Sequence, residues 1–318
     1  MRTIVTGASG FIGKNFLLHA PDDFQIVALY NKDVNFPKFL KDNGLEQVIA
    51  VKCDLTNPDE VKRVSEEVGR SFDTCLYLAG NSDPSKSVED PIYDLKNNVL
   101  ALLNFLNNFN ITKFIYFSSG AVYDGHKGLV NPSVKLSPTL PYAITKLSSE
   151  NYIKFFHKKM KNIESYLILR FFGAYGPYEP ERKIFTKLVK KFLFERENKF
   201  VVRGDGNNYI DAMFVKDAVE GILKMMESDA KDLTIDFCSG RPLRINSLVK
   251  KVARIFGIEN LEIVHEGETK EYNLFYASPK AQERIFGIKV KTSLEDGLRE
   301  LANHLRSRDH EEKHLHNC

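Results

Sequence analysis

No apolar run in this chain of 318 residues approaches the roughly 20 residues that a membrane-spanning helix needs, so a helical membrane protein is excluded and no membrane partner is expected. Cysteine is sparse. The four, Cys53, Cys75, Cys238 and Cys318, show neither metal-ligand nor paired spacing, and Cys53 and Cys75 sit in apolar strand-like runs that read as buried thiols. Charge of one sign is also missing: the net charge is +3 with the basic residues scattered, which gives no ground for a nucleic-acid partner. The one dense basic patch, Lys187 to Lys191, lies on a helix-like segment and is expected to face solvent. The N-terminus lacks the charged, apolar and cleavage regions of a signal peptide, so a reducing cytoplasm is the expected location. The tail from Arg308 sets His310 and His314 one helical turn apart without further ligands. A frayed, solvated terminus and no metal are expected there.

What is present begins at residue 3. The β-branched run Thr3-Ile4-Val5-Thr6 leads into Gly7, Gly10 and Gly13, and the apolar segment from Phe11 to Leu18 follows. That order reads as strand, glycine turn and helix, in which close backbone approach and free N–H groups at the helix start suit a diphosphate. Further strand patterns span 25–30, 47–52, 74–79 and 113–118, separated by helical patterns at 58–68 and, as one long segment, 88–108. Such alternation predicts an α/β fold, a doubly wound parallel sheet whose ligands sit beyond the C-terminal strand ends. Residues 1–163 are expected to form this dinucleotide-binding domain. Residues 164–307, with a strand at 164–172 and helices at 184–195, 215–227, 245–256 and 293–305, would form a smaller substrate-binding lobe that returns some elements to the sheet. Residues 308–318 are the polar tail.

Three Tyr-x-x-x-Lys patterns occur, so the pattern alone selects nothing. Tyr123/Lys127 is broken by Gly125, and Tyr276/Lys280 is interrupted by Pro279. Tyr142/Lys146 follows Pro141 and opens a helical run, which sets both side chains on one helix face. Ser119, at the end of the 113–118 strand, would converge with them on the glycine turn.

Together these pieces resemble the extended short-chain dehydrogenase/reductase superfamily, in its NAD-dependent epimerase/dehydratase branch. The matching segments are TGASGFIG (6–13), CDLTNPDEV (53–61), LAGNS (78–82), NNV (97–99), SSGAVY (118–123), YAITK (142–146), LRFFGAYGP (169–177) and FVKDAV (214–219). The resemblance implies Ser119, Tyr142 and Lys146 as the catalytic set. It implies a nicotinamide cofactor held by Gly7, Gly10, Phe11, Ile12, Gly13, Asn31, Lys32, Asp54, Leu55, Leu78, Ala79, Gly80, Asn98, Tyr142, Lys146 and Phe172. Asp54 would bind the adenine, with a helix cap before Pro58 as its alternative role. Ser82, Ser119, Gly173 and Arg203 would face substrate. Dimerisation through helices at 88–108 and 142–159 is likewise implied.

Departures narrow the reaction. Dehydrating and decarboxylating relatives carry acids where Gly120 and Ala121 stand, and relatives that epimerise beside a ketone place a cysteine at Gly120. Redox at one carbon of a nucleotide sugar remains, as a 4-epimerase or a 4-ketoreductase. Related epimerases have asparagine at Gly173 and an arginine for the diphosphate at Ile210, for which Arg203, Arg182 or Arg241 could substitute. A reductase of a non-sugar carbonyl and a non-catalytic NAD(P) sensor stay open. The acidic residue that ends the second strand in NAD binders is replaced by Asn31, followed by Lys32, which favours NADP over NAD.

Overall fold

The computed structural model describes residues 1–268 and 273–316, with side chains through Arg308. Seven strands form one sheet: β1 (Arg2–Thr6), β2 (Gln25–Tyr30), β3 (Val48–Lys52), β4 (Ser71–Tyr77), β5 (Asn110–Ser119), β6 (Ile163–Phe171) and β7 (Leu233–Phe237). Their spatial order is β7-β6-β5-β4-β1-β2-β3, and every neighbouring pair is parallel. The order reverses between β1 and β4, which opens a crevice outside the carboxyl ends of these two strands.

Both faces of the sheet are covered, which explains why its strands read as nearly continuous apolar runs. Val5, Leu76, Ile115 and Leu167 enter one core layer, while Ile4, Cys75, Phe114 and Ile168 enter the other. The two sets alternate along each strand, as the pleat requires. Helices α1 (Phe11–His19), α2 (Phe36–Asp42), α3 (Pro58–Val68), α4 (Pro84–Glu89), α5 (Pro91–Leu95), α6 (Ala101–Leu106) and α7 (Pro141–Phe155) belong to this half. The second lobe rests on α8 (Ile184–Val189), α10 (Ile245–Ile255) and α12 (Leu294–His316), whose core includes Leu188, Leu248 and Leu301. Between them α9 (Val215–Glu227) and α11 (Lys280–Phe286) fold back with β7 onto the sheet, adding Ile222, Phe237 and Phe286 to its core. No helix among the described residues is long and apolar enough to cross a membrane.

Two expectations need correction, and one element lies outside them. The segment 88–108 is not one helix: Pro91 starts α5, Asp90 Oδ1 accepts from Tyr93 N at 2.9 Å, and residues Lys96–Leu100 form a π turn before α6. Proline cannot donate to a preceding turn, so a helix restarts there instead of running through. The helix α2, for which no expectation was stated, is buried through Phe36 and Leu40. Finally, α12 continues to His316, past the point where fraying was expected. No glycine or proline follows Gly297 to stop it. The side chains of His310 and His314 lie outside the described residues.

Candidate active site

The turn after β1 is shaped by two glycines. Gly7 has φ +66°, and a Cβ there would stand 2.8 Å from Ala79 N; a Cβ on Gly13 would stand 2.4 Å from Ala8 O. The chain between β1 and α1 therefore lies tight against the loop after β4, where Leu78 N donates to Thr6 O and Ala79 N to Thr6 Oγ1, both at 3.2 Å. The α1 cap is Gly10, which offers no side-chain acceptor, and no acidic residue follows in the first turn. Its N–H groups and the positive helix end are thus left for an anion.

From this turn a cleft of about 740 Å³ runs between the two lobes. Gly7, Gly10, Phe11, Ile12, Gly13, Asn31, Lys32, Asp54, Leu55, Leu78, Ala79, Gly80, Ser82 and Phe172 line it, together with Ser119, Tyr142, Lys146 and Gly173. Residues scattered over more than 160 positions are thus brought to one wall. Asp54 accepts from Thr56 N at 2.9 Å and Thr56 Oγ1 at 2.7 Å, which with a bond from Asn31 and the charge of Lys32 holds its carboxyl below the ordinary value despite burial. Asn57, not Asp54, caps α3, through Asp59 N and Glu60 N. The cradle, the uncapped helix start and the cleft's extent fit a nicotinamide dinucleotide.

Tyr142 and Lys146 project from the first turns of α7 and are 8% and 6% exposed. Ser87 Oγ of α4 accepts from Tyr142 N at 3.1 Å and so caps α7 from another helix. Asp124 Oδ2 holds the preceding residues through Thr139 N, Thr139 Oγ1 and Leu140 N at 2.8–3.0 Å. Burial pushes the Tyr142 phenol up to about 12, opposed by a hydrogen bond with Ser119. Burial pulls Lys146 down to about 8. Its ammonium donates to Phe117 O at 3.0 Å and stands 5.9 Å from the Tyr142 ring centroid. The alcohol, the phenol and the amine do meet.

Behind them lies a buried chain of charges and hydroxyls. Arg170 on β6 donates through Nε and Nη2 to Glu150 of α7 at 3.1 and 2.9 Å, and through Nη1 to Tyr123 Oη at 3.0 Å. Tyr123 Oη donates to Asp236 of β7 at 2.7 Å, and Ser118 Oγ to Glu150 at 2.6 Å. This chain ties α7, the end of β5, β6 and β7 together. Its members carry no signal in local periodicity, and Tyr123 stands out in the sequence only through a Tyr-x-x-x-Lys pattern that Gly125 breaks.

Two expected site residues fall elsewhere. Asn98 does not line the cleft: its amide donates to Asp94 Oδ1 at 2.9 Å and Thr145 Oγ1 at 3.1 Å, supporting the site from behind. Arg203 is exposed on the 199–203 strand and is absent from the cleft lining. Arg241 is engaged with Thr292 O and Val290 O, and Arg182 pairs with Asp83 at 3.2 Å. The cation that does line this end of the cleft is Lys183, whose ammonium makes no hydrogen bond or ion pair among the described residues. Burial, then Arg182, pull its pKa down. Beside it Glu179 accepts from Thr186 N at 2.9 Å and Thr186 Oγ1 at 2.7 Å, and burial raises it to about 7.

Comparison with known proteins finds relatives of the same fold over nearly the whole chain. The UDP-glucuronate 4-epimerase of Thermodesulfobacterium geofontis is 24% identical over 94% of each chain. The solved UDP-N-acetylglucosamine 4-epimerase of Methanobrevibacter ruminantium, in complex with UDP-N-acetylmuramic acid, superposes with a TM-score of 0.80 at 25% identity, covering 96% of this chain and 98% of the other. The UDP-glucuronic acid 4-epimerase of Bacillus cereus, in complex with UDP-glucuronic acid and NAD, gives 0.84 at 22% identity over 96% and 99%. The family model for the NAD dependent epimerase/dehydratase family matches residues 3–236, and this chain belongs to that family.

Proposed function

We propose that the protein is a nucleotide-sugar 4-epimerase. The observation that carries this is the meeting of Ser119, Tyr142 and Lys146 at one end of the cleft that the glycine turn opens. The 4-epimerase relatives support the choice of reaction. A 4-ketoreductase, which would act through the same three residues, is the second reading.

The cofactor would be held by the N-terminus of α1, the loop after β4, Asp54, Asn31 and Lys32 at its adenosine end, and Phe172, Tyr142 and Lys146 at the other. When bound, its nicotinamide supplies hydride exchange at one sugar carbon. Tyr142 Oη takes the hydroxyl proton as the carbonyl forms and returns it when the alcohol is restored. Ser119 Oγ holds the same oxygen in line. Burial holds the Tyr142 proton at neutral pH, and positive charge beside the ring, such as the Lys146 ammonium carries, favours its release. Asn31 puts no carboxylate at the end of β2, Lys32 adds a cation, and the nearby Asp33 is neutralised by Lys14 at 2.8 Å. These features favour NADP.

Denaturing the purified protein and identifying the released nucleotide tests the cofactor; incubation with nucleotide sugars and 4-keto sugars tests the reaction. Interconversion of C4 epimers supports the epimerase, consumption of NAD(P)H only with a 4-keto sugar supports the reductase, and no reaction across the panel overturns both. Lys183 is the group proposed to meet the diphosphate. Replacing it with methionine is expected to raise KM roughly tenfold, the loss of about one charge-assisted contact, with kcat within twofold.

A homodimer and a reducing cytoplasm belong to the same proposal. Ile92, Leu95 and Leu100 on α5 and the π turn, and Ile144, Tyr152 and Phe155 on α7, are large apolar side chains left exposed. Among the described residues Cys53, Cys75 and Cys238 are free and buried. Sedimentation velocity at micromolar concentration is expected to give twice the mass of 36.3 kDa.

A further inference from the structure

Asp94 is an unusual neighbour for this site. It lies on α5, 0% exposed, and is absent from the cleft lining. Three neutral donors converge on its carboxylate from three elements: Asn81 Nδ2 at 2.7 Å from the loop after β4, Asn98 Nδ2 at 2.9 Å from the π turn, and Thr145 Oγ1 at 2.6 Å from α7. Among the described residues no lysine, arginine or histidine forms an ion pair with it. Thr145 is the residue immediately before Lys146, so the carboxylate is fastened to the catalytic helix at the turn that carries the ammonium.

The surroundings of Lys146 show why this matters. Phe117 O and the Tyr116 ring, 5.1 Å away, face it from β5, and Tyr142 and Glu150 share its helix. Glu150 is matched by Arg170, which donates two hydrogen bonds to it. Tyr77 on β4 stands behind Tyr116, ring to ring at 5.9 Å, and carries no charge to offer. Among the described residues, the carboxylate acting on Lys146 whose charge is not already met by a cation is Asp94.

Resting on the reading of Tyr142 and Lys146 as the reacting pair, we propose that Asp94 is a positioning residue that acts as the buried counter-charge of Lys146, keeping the ammonium charged inside the closed site. The electrostatics agree in sign. Burial lowers Lys146, and Asp94 is the largest influence raising it; the same charge raises Tyr142. Without Asp94, both groups would lose their protons at lower pH.

Asp94→Asn is the direct test, because the amide oxygen still accepts from Asn81 and Asn98, and Thr145 Oγ1 turns its proton to Tyr142 O, 3.0 Å away. In the cofactor-loaded protein, the phenolate of Tyr142 is titrated by ultraviolet difference absorption with Tyr142→Phe as the blank. Binding of NADH and NADPH is followed by fluorescence across the same pH range. In Asp94→Asn the phenolate midpoint and the alkaline limb of cofactor binding are expected to fall by about one pH unit. Thr145→Val, which removes a donor and keeps the charge, is expected to leave both in place. Curves for Asp94→Asn that superimpose on wild type overturn the proposal, and so does an equal shift in Thr145→Val. Neither readout needs a sugar. A wild-type protein inert on every nucleotide sugar would refute the functional reading while these titrations still decided the role of Asp94.

Discussion

Tyr142→Phe is expected to cut kcat by about a thousandfold or more while cofactor affinity stays within a few-fold of wild type. The ring stays in place, since its burial and the capping of its N–H by Ser87 Oγ do not involve the hydroxyl. What disappears is the proton donor and acceptor at the reacting oxygen, together with the partner of Ser119. Ser119 cannot replace it, because a neutral alcohol is a far weaker acid than a phenol held beside an ammonium. Retention of half the wild-type rate would remove Tyr142 from the reaction. Single-turnover kinetics and cofactor fluorescence, measured on the same preparation, separate the two effects.

Glu150→Ala is expected to be the most damaging single change to stability, at about 3–5 kcal/mol. The substitution leaves the Arg170 guanidinium, itself 4% exposed, facing a void without its two carboxylate acceptors, and takes away the acceptor of Ser118 Oγ. An unpaired buried charge dominates that cost, not the loss of the pair's own attraction. It follows that Glu150→Leu combined with Arg170→Met should recover part of the stability that Glu150→Ala loses, because no charge is then stranded. Chemical denaturation of the three proteins measures this. A loss below about 1 kcal/mol in Glu150→Ala would mean that water reaches Arg170 and that the chain of charges is not closed.

Much of the architecture was legible because its signals are local. The glycine turn sits between a β-branched run and an apolar helix, and Pro141 places Tyr142 and Lys146 one turn apart, so both could be read without knowing their partners. Features that depend on distant partners were not legible. The strand β7, LTIDF, is short and carries a buried aspartate whose hydrogen bond comes from Tyr123, 113 positions earlier. Asp94 looks like one more polar residue on a helix until Asn81 and Thr145 are brought to it. Arg203 was a natural candidate for an anion because of its charge, yet the 199–203 strand pairs with 262–266 and leaves it on the outside. Lys183 belongs to no motif, and only the fold brings it to the cleft.

The place of β7 in the sheet also bears on how the polypeptide acquires its shape during synthesis. The outer edge of β6 finds its partner in Leu233–Phe237, more than sixty positions downstream, and Asp236 arrives on that same strand. While the ribosome is still producing the intervening segment, β6 presents unpaired backbone groups, an open template for a neighbouring nascent chain. Completion of β7 seals that edge and delivers the last member of the charge chain behind the catalytic helix in one event, so a fragment ending near residue 230 would be both adhesive and inactive.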